Sequence, residues 1–550
     1  MRISKENIHE NKIKCKNTLQ ITLDDDFNVP DSKPDIDAIV KERGSVHIDS
    51  VKAAGDRAEL SGNLDFALLY VGGRESDGRH LPVKMDGKMN ISEAVNLAEN
   101  CDDTYVTCNA SIDDITVKAI NSRKISVKAI VTLEIICEQI EDVSIGCELE
   151  DMDENDKLQI LTRDIDYAQL AVNVRDNLRI KENIELGAGK PDVAELLWSD
   201  VDIHSMNTRL LDDALSVSGE LSIFIMYLGQ DESQSVQWYE TSAAFDGTLD
   251  VSGCNADMTS YVQYNIVSCN LEVKPDYDGE NREISVEITA DMSVQAYEEQ
   301  EKKILADIYS PIKDVSINDN QVTLKKLLVH NNSKCRGNAR IKAGDYVNLL
   351  QICNCTGTAQ VDDVTIEEDG LLVDGAIMAN VFYVTSDDNA PMGSIRTAVP
   401  FSQKIIIDNK LDNRERLLSM KGIKDEGQEE GPKLDYSINV SVEQLSAVMT
   451  GSNEIEVKGV VSLDTLCFAP YKVRAIMDCD TMPYEESEFL RFPSIIGYIA
   501  NGEETIWDIA RKNHTTPASI RSRNASAAEH ASDETKFKRG DKLLLVKAAR

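Results

Sequence analysis

The sequence predicts a mainly β protein: three tandem β-rich repeats followed by a small α+β unit in βααβ order. Three observations predict this. Short segments rich in β-branched and aromatic residues recur along the chain, such as Leu64–Tyr70, Ile125–Val131 and Leu221–Tyr227, each bounded by Gly, Asp or Asn. Long segments of 3.6-residue period are scarce, and two short helical patterns stand out near the C-terminus. A set of marks also recurs at matched spacing, the signature of a repeat architecture.

The first repeat opens at Val29-Pro-Asp-Ser-Lys-Pro-Asp35 and runs through Ser61-Gly62 to a strand ending at Tyr70. The second opens at Gly189-Lys-Pro-Asp192 and runs through Ser218-Gly219 to Tyr227. Pro34 to Gly62 is 28 residues, as is Pro191 to Gly219, and Gly to Tyr is 8 in both. Each copy later carries a Cys-Asn strand (Cys108-Asn109, Cys269-Asn270) and closes on an Arg-x-Ile-x-Val strand, Arg123–Val127 and Arg282–Val286. A third, degenerate copy has Gly344-Asp345 for Pro-Asp, keeps the step from Gly375 to Tyr383, and closes at Asn453–Val457 without the Arg. An acidic insertion, Lys424–Gly431, lengthens one of its loops. The expected divisions are repeats at 1–150, 151–305 and 306–480, a linker at 481–495 and the α+β unit at 496–548. The Pro-Asp pair suits the start of a short helix or turn. The Gly ahead of each Tyr suggests a bulge or a positive φ.

In the last fifty residues, Ile506, Ile509 and Ala510 fall on one face of a short helix, with Thr505 or Glu504 as its cap. Thr516-Pro517 reads as a cap followed by Pro at the first helical position, and Asn524 ends the second helix. Tyr498-Ile499 and the segment ending at Val546 supply the two strands, and Trp507 is expected in the core.

The chain has 550 residues, 42% of them hydrophobic and 28% charged, enough for several folded domains. The formal charge of -38 repels phosphate backbones and anionic lipid, so no nucleic acid and no membrane insertion are expected. No run of about 18 apolar residues exists to span a bilayer. The opening residues lack the apolar core of a secretory signal, so the chain is expected to stay in the compartment that makes it. The twelve cysteines read as reduced, mostly buried thiols. Cys353-Asn-Cys355 is the tight pair and has no partner pair at zinc spacing, so no metal and no cofactor are expected.

The Asn28–Asp35 stretch, the Ser-Gly…Leu-Tyr-Val strand and the Asn121–Ile125 closing strand resemble the SPOCS domain, which occurs in proteins of endospore-forming Firmicutes. Residues Tyr498 to Val546 resemble a LysM module, through Tyr498, Thr505-Ile506-Trp507, Ile509-Ala510, Thr516, Ile520, Asn524 and Gly540-x-x-Leu543. Two departures stand out: the loop Gly sits one place early, at Gly502, and the Ala525–Lys538 loop is long and charged. The resemblance implies a non-enzymatic scaffold in the mother-cell cytoplasm, at the forespore surface. Its partner would be the ATP-hydrolysing basement-layer morphogenetic protein of the spore coat. It also implies a groove over Glu504, Thr505, Ile506 and Asn524 for glycan or partner. The alternative function is direct binding of peptidoglycan or a chitin-like N-acetylglucosamine chain.

No catalytic pattern emerges. The seven histidines form no HxxxH or HExxH pair, and no nucleophile elbow, phosphate loop or dinucleotide fingerprint occurs. Acidic clusters such as Asp24–Asp26 and Glu367–Asp369 are expected at turns and lack calcium-loop spacing. A hydrolase carrying the terminal module for targeting would require a deep pocket with converging carboxylates.

Overall fold

The computed structural model describes residues 2–548 apart from 73–80, 103, 188, 232–234, 345–348, 368, 388–390, 408–433, 486–490 and 525–531. The acidic insertion, Asp345, His80, His530, Glu368 and the start of the 525–538 loop therefore lie outside the described residues.

The first unit has six strands: β1 (Arg2–Asn28), β2 (Ile36–Ala54), β3 (Arg57–Gly72), β4 (Pro82–Asn96), β5 (Tyr105–Asn121) and β6 (Lys124–Glu150). They form two three-stranded antiparallel sheets, β1-β6-β5 and β2-β3-β4. The second unit repeats this with β7 (Gln159–Glu185), β8 (Val193–Leu211), β9 (Ala214–Gly229), β10 (Val236–Asp250), β11 (Thr259–Pro275) and β12 (Asn281–Tyr309). The third has β13 (Lys313–Lys342), β14 (Leu349–Ile366), β15 (Gly370–Thr385), β16 (Met392–Ile406), β17 (Asp435–Met449) and β18 (Glu454–Pro483) in the same order. The protein is thus mainly β, built as three two-sheet repeats. A last unit follows: β19 (Ile495–Ile499), α1 (Ile506–Lys512), α2 (Pro517–Arg523) and β20 (Lys542–Val546), with β19 antiparallel to β20. No helix among the described residues is long and apolar enough to cross a membrane.

Period-two patterning builds each sandwich. Ile125, Val127, Ala129, Val131, Leu133, Ile135 and Cys137 alternate along β6 and are completely buried, with less buried residues between them. In β9 the alternation collapses into the apolar run Ile223–Leu228 because both faces are covered. Leu221, Ile223, Ile225 and Tyr227 face their own sandwich. Phe224, Met226 and Leu228 face the neighbouring repeats.

The first and last strands of each unit, 27 to 30 residues long, exceed ordinary strands several-fold. Each pair serves two structures. A bulge separates them at the same place in every unit: between Ile13 and Cys15, between Tyr297 and Ala296, and between Leu327 and Val329. On one side of the bulge the strands complete the sandwich. On the other side they leave it as a two-stranded ribbon, and the three ribbons pack together. Ile8, Ile145, Ile165, Tyr167, Ile304, Leu324 and Ala475 form that joint. Lys302 binds Glu6 at 3.1 Å and Lys326 binds Asp166 at 2.7 Å across it.

The repeat marks turn out to be one clamp. Arg123 donates to the carbonyls of Val29, Pro30 and Lys33 and to Asp35. Arg282 does the same to Leu186, Gly187, Lys190 and Asp192. Tyr70 and Tyr227 donate to the carbonyls of Pro34 and Pro191, at 3.0 and 3.1 Å. The Pro-Asp element is a turn leading straight into a strand, not a helix start. In the third unit Asn453 takes the Arg position: Ala343 N donates to its carbonyl as Val29 N does to that of Arg123, and its amide reaches Gly344 O at 3.2 Å. Gly62 and Gly375 each lie opposite a bulge in the partner strand, where a Cβ would come within 2.3 and 2.2 Å of the carbonyls of His47 and Gln360. Close approach, not positive φ, requires them. Asp24–Asp26 lie within β1 and not at a turn.

Candidate functional site

The four residues expected to line a binding groove divide into two kinds. Thr505 caps α1: its hydroxyl accepts from Asp508 N while the Asp508 carboxylate accepts from Thr505 N, a full capping box. Glu504 accepts from the Tyr498 hydroxyl and from Lys512 at 3.2 Å. Burial and that hydrogen bond push the Tyr498 phenol up to about 12. These two side chains remain partly exposed. Ile506, by contrast, is wholly buried in the unit's core with Trp507, Ile509, Ile520, Leu543 and Leu545. Asn524 is also buried: it closes α2 and holds β20, accepting from Leu544 N at 2.8 Å and donating to Leu544 O at 3.0 Å. Ile506 and Asn524 therefore have interior roles, and neither presents its side chain to a ligand.

The two loops that would border the groove are joined by backbone bonds. Ile506 N donates to Thr535 O at 3.1 Å and Trp507 N to Asp533 O at 3.0 Å, with a further bridge between Thr505 and Lys536. Arg521 fastens Asp533 at 2.6 Å. Gly502 makes the turn at φ +95°, and a Cβ there would press on Arg539. The free N–H groups of the α1 N-terminus, the natural donors for a ligand, are thus already taken. The outer face of the ribbon is different. Ile495, Ile499 and Leu544 are 67%, 64% and 46% exposed and stand on one side of β19-β20, opposite the side that packs on the helices.

The unit is anchored to the second repeat. Trp507 Nε1 donates to Asp307 at 2.7 Å, and Arg511 reaches the same carboxylate oxygen at 2.8 Å. The Trp507 ring meets Tyr309 edge-on, 4.8 Å between centroids, and the Tyr309 hydroxyl donates to Thr515 O. Sequence reading placed Trp507 in the core and missed Asp307. One acid among 96 acidic residues carries no local mark.

A second polar constellation lies where the three sandwiches meet. Val40, Leu197 and Cys353 stand at equivalent positions of the three repeats, as do Leu69, Met226 and Phe382, and all six share one cluster. Next to Val40, Leu197 and Cys353 come Lys41, Trp198 and Asn354, each beyond a bulge. All three donate to Asp200: Lys41 at 2.7 Å, Trp198 at 3.1 Å and Asn354 at 2.9 Å, with Arg43 at 2.9 Å. Lys41 is 2% exposed and Asp200 6%. Burial pushes Asp200 upward, but Lys41, Arg43 and the hydrogen bonds outweigh it, so the carboxyl sits below its usual range. The Lys41 ammonium also lies over the Trp198 and Phe382 rings, at 5.2 and 5.7 Å. This is a structural lock. Beside it Asp200, Asp202 and Glu240 do converge, on a cavity of about 40 Å³. That is room for water and not for a sugar ring. His204, also on its wall, is held by Val442 O at 2.9 Å.

A family model described as SipL, SPOCS domain matches residues 35–120, 192–274 and 348–450. The chain belongs to the SPOCS-domain family. Each matched segment covers the four inner strands of one repeat, including the degenerate third, while the long outer strands fall outside it. Membership marks this SPOCS-domain protein as sporulation-related. No curated protein and no solved structure matches it significantly.

Proposed function

We propose that this SPOCS-domain protein is a non-enzymatic scaffold of endospore envelope assembly, which holds a coat morphogenetic protein of the ATP-hydrolysing basement-layer type. Its terminal unit, read as a LysM module, is the docking element. The observation that carries this reading is the exposed apolar face Ile495, Ile499 and Leu544, set on a unit whose loop donors are already used within the chain. An apolar patch with a polar surround suits a protein partner better than a sugar chain. The repeats support a scaffold role because the polar cluster around Asp200 is spent on joining repeat to repeat.

Affinity purification from sporulating cells tests this, comparing the wild-type chain with I499D/L544D. The variant is expected to lose the coat protein while keeping its fold, because both side chains point away from the core. Retention of the coat protein by the variant sinks the docking assignment.

The same wild-type chain is expected to pass over purified peptidoglycan without retention. Retention that is lost on Glu504→Ala and Thr505→Ala, but kept in I499D/L544D, would instead establish the glycan-binding alternative.

A further inference from the structure

Cys15 on β1, Cys137 on β6 and Cys101 in the loop between β4 and β5 meet inside the first sandwich. They are 4%, 0% and 2% exposed. Their Sγ atoms all lie within 4.8 Å of one another. They come from positions 86 and 36 residues apart along the chain, so no motif announces them.

The sandwich does not need sulfur there. The registers Cys15↔Cys137 and Val172↔Ala296 flank the same bulge in the first and second units, and Val329↔Cys467 occupies that place in the third. In the corresponding loop of the second unit, Cys254 turns its thiol to the carbonyls of Leu211 and Ala214, at 3.2 and 3.5 Å. Among the described residues, three sulfurs facing one another are particular to the first unit.

We propose that Cys15, Cys101 and Cys137 form a binding site for a soft monovalent cation, copper(I), held by three sulfurs. An ion at the centre of three sulfurs separated by at most 4.8 Å lies within about 2.8 Å of each. Metal–thiolate bonds are about 2.3 Å, so side-chain shifts of roughly half an ångström close the site. The donor set chooses the metal. Thiolates select soft ions, and zinc almost always takes four ligands. The surrounding cluster is apolar, with Leu19, Leu97, Val117 and Ile135 among its members, and among the described residues no fourth Cys, His or carboxylate joins the three sulfurs at that distance. Three Cu–S bonds form as S–H bonds break, the protons pass to the buffer, and nothing is oxidised. A bound ion ties β1, β6 and the 97–104 loop together and stabilises the folded state by mass action.

The test titrates the full-length reduced chain with copper(I) under anaerobic conditions against bicinchoninate as competitor. Wild type is compared with C15V/C137A, which installs the residues of the second unit, and with the single variant C137A. Circular dichroism and metal-free melting identify which variant keeps the wild-type fold, and that variant decides the question. Wild type is expected to retain one more equivalent of copper than the variant, with three sulfur neighbours by X-ray absorption and a raised melting midpoint. Equal copper uptake by the two proteins overturns the proposal, as does a wild-type ion with only two sulfur neighbours.

Discussion

Replacing Asp200 with alanine is expected to destabilise the protein by about 3–5 kcal/mol, the cost of breaking a buried ion pair and stranding its partner. The loss is large because four donors from three repeats converge on this one carboxylate: Lys41 and Arg43 from the first, Trp198 from the second, Asn354 from the third. Without it, Lys41 is an ammonium 2% exposed, with two aromatic rings in place of a counter-ion. Lys41→Ala is expected to cost a similar amount, and the double variant less than the sum, since the two share one interaction. Urea unfolding followed by tryptophan emission reads the effect. A loss below about 1 kcal/mol would mean that the apolar cluster alone joins the repeats. The pH dependence has a definite sign. Asp200 is lowered in the folded state. Its contribution is therefore fully present above the unfolded carboxyl value of about 3.9 and disappears as pH falls from there through the lower folded value. Acid unfolding of D200A should lack that component.

Trp507→Ala is the second large effect, about 3–5 kcal/mol for removing a buried aromatic side chain. Here the loss concerns attachment as well as folding. The indole lies in the core of the terminal unit and at its contact with Tyr309 and Asp307 at once. The variant should release the terminal unit from the second repeat, so that proteases cleave within 484–495 while the three sandwiches survive intact. Asp307→Ala separates the two roles. It removes the partner of the indole N–H and of Arg511 but leaves the core of the unit filled. It should increase cleavage at the same place at a stability cost of about 1–3 kcal/mol, that of an orphaned buried donor. Unchanged proteolysis in both variants would show that Asp307 and Trp507 do not hold the unit in place.

The third repeat shows how far local marks carry. Pro34, Asp35, Tyr70 and Arg123 recur as Pro191, Asp192, Tyr227 and Arg282 because they form one clamp that every sandwich must close. Their spacing made two repeats plain. In the third, Asn453 reaches a carbonyl with a short amide where the others use a long guanidinium, so the clamp survives while its signature thins. The strand lengths were not legible. A 27-residue strand that is interrupted by a bulge and passes from the sandwich into a ribbon reads in sequence as two short strands. The run Ile223–Leu228 signalled burial without saying that its two faces meet different repeats.

Of the residues expected at the terminal groove, Thr505 was readable as a cap because capping depends on residues three apart. The interior role of Asn524 was not, because its bonds go to Leu544, twenty residues away.

The sequence by itself determined the mainly β class, the three repeats and the order of the terminal unit, since alternation, turn residues and caps act over a few residues. The tertiary structure alone decided that the repeats join at Lys41, Asp200 and Asn354, that Asp307 anchors Trp507, and that three cysteines of the first unit face one another. The residue types at these positions change from repeat to repeat, so no recurring mark announces the contacts. The contacting residues lie up to two hundred positions apart, and only the packing of strand on strand and of unit on unit brings them within a few ångströms.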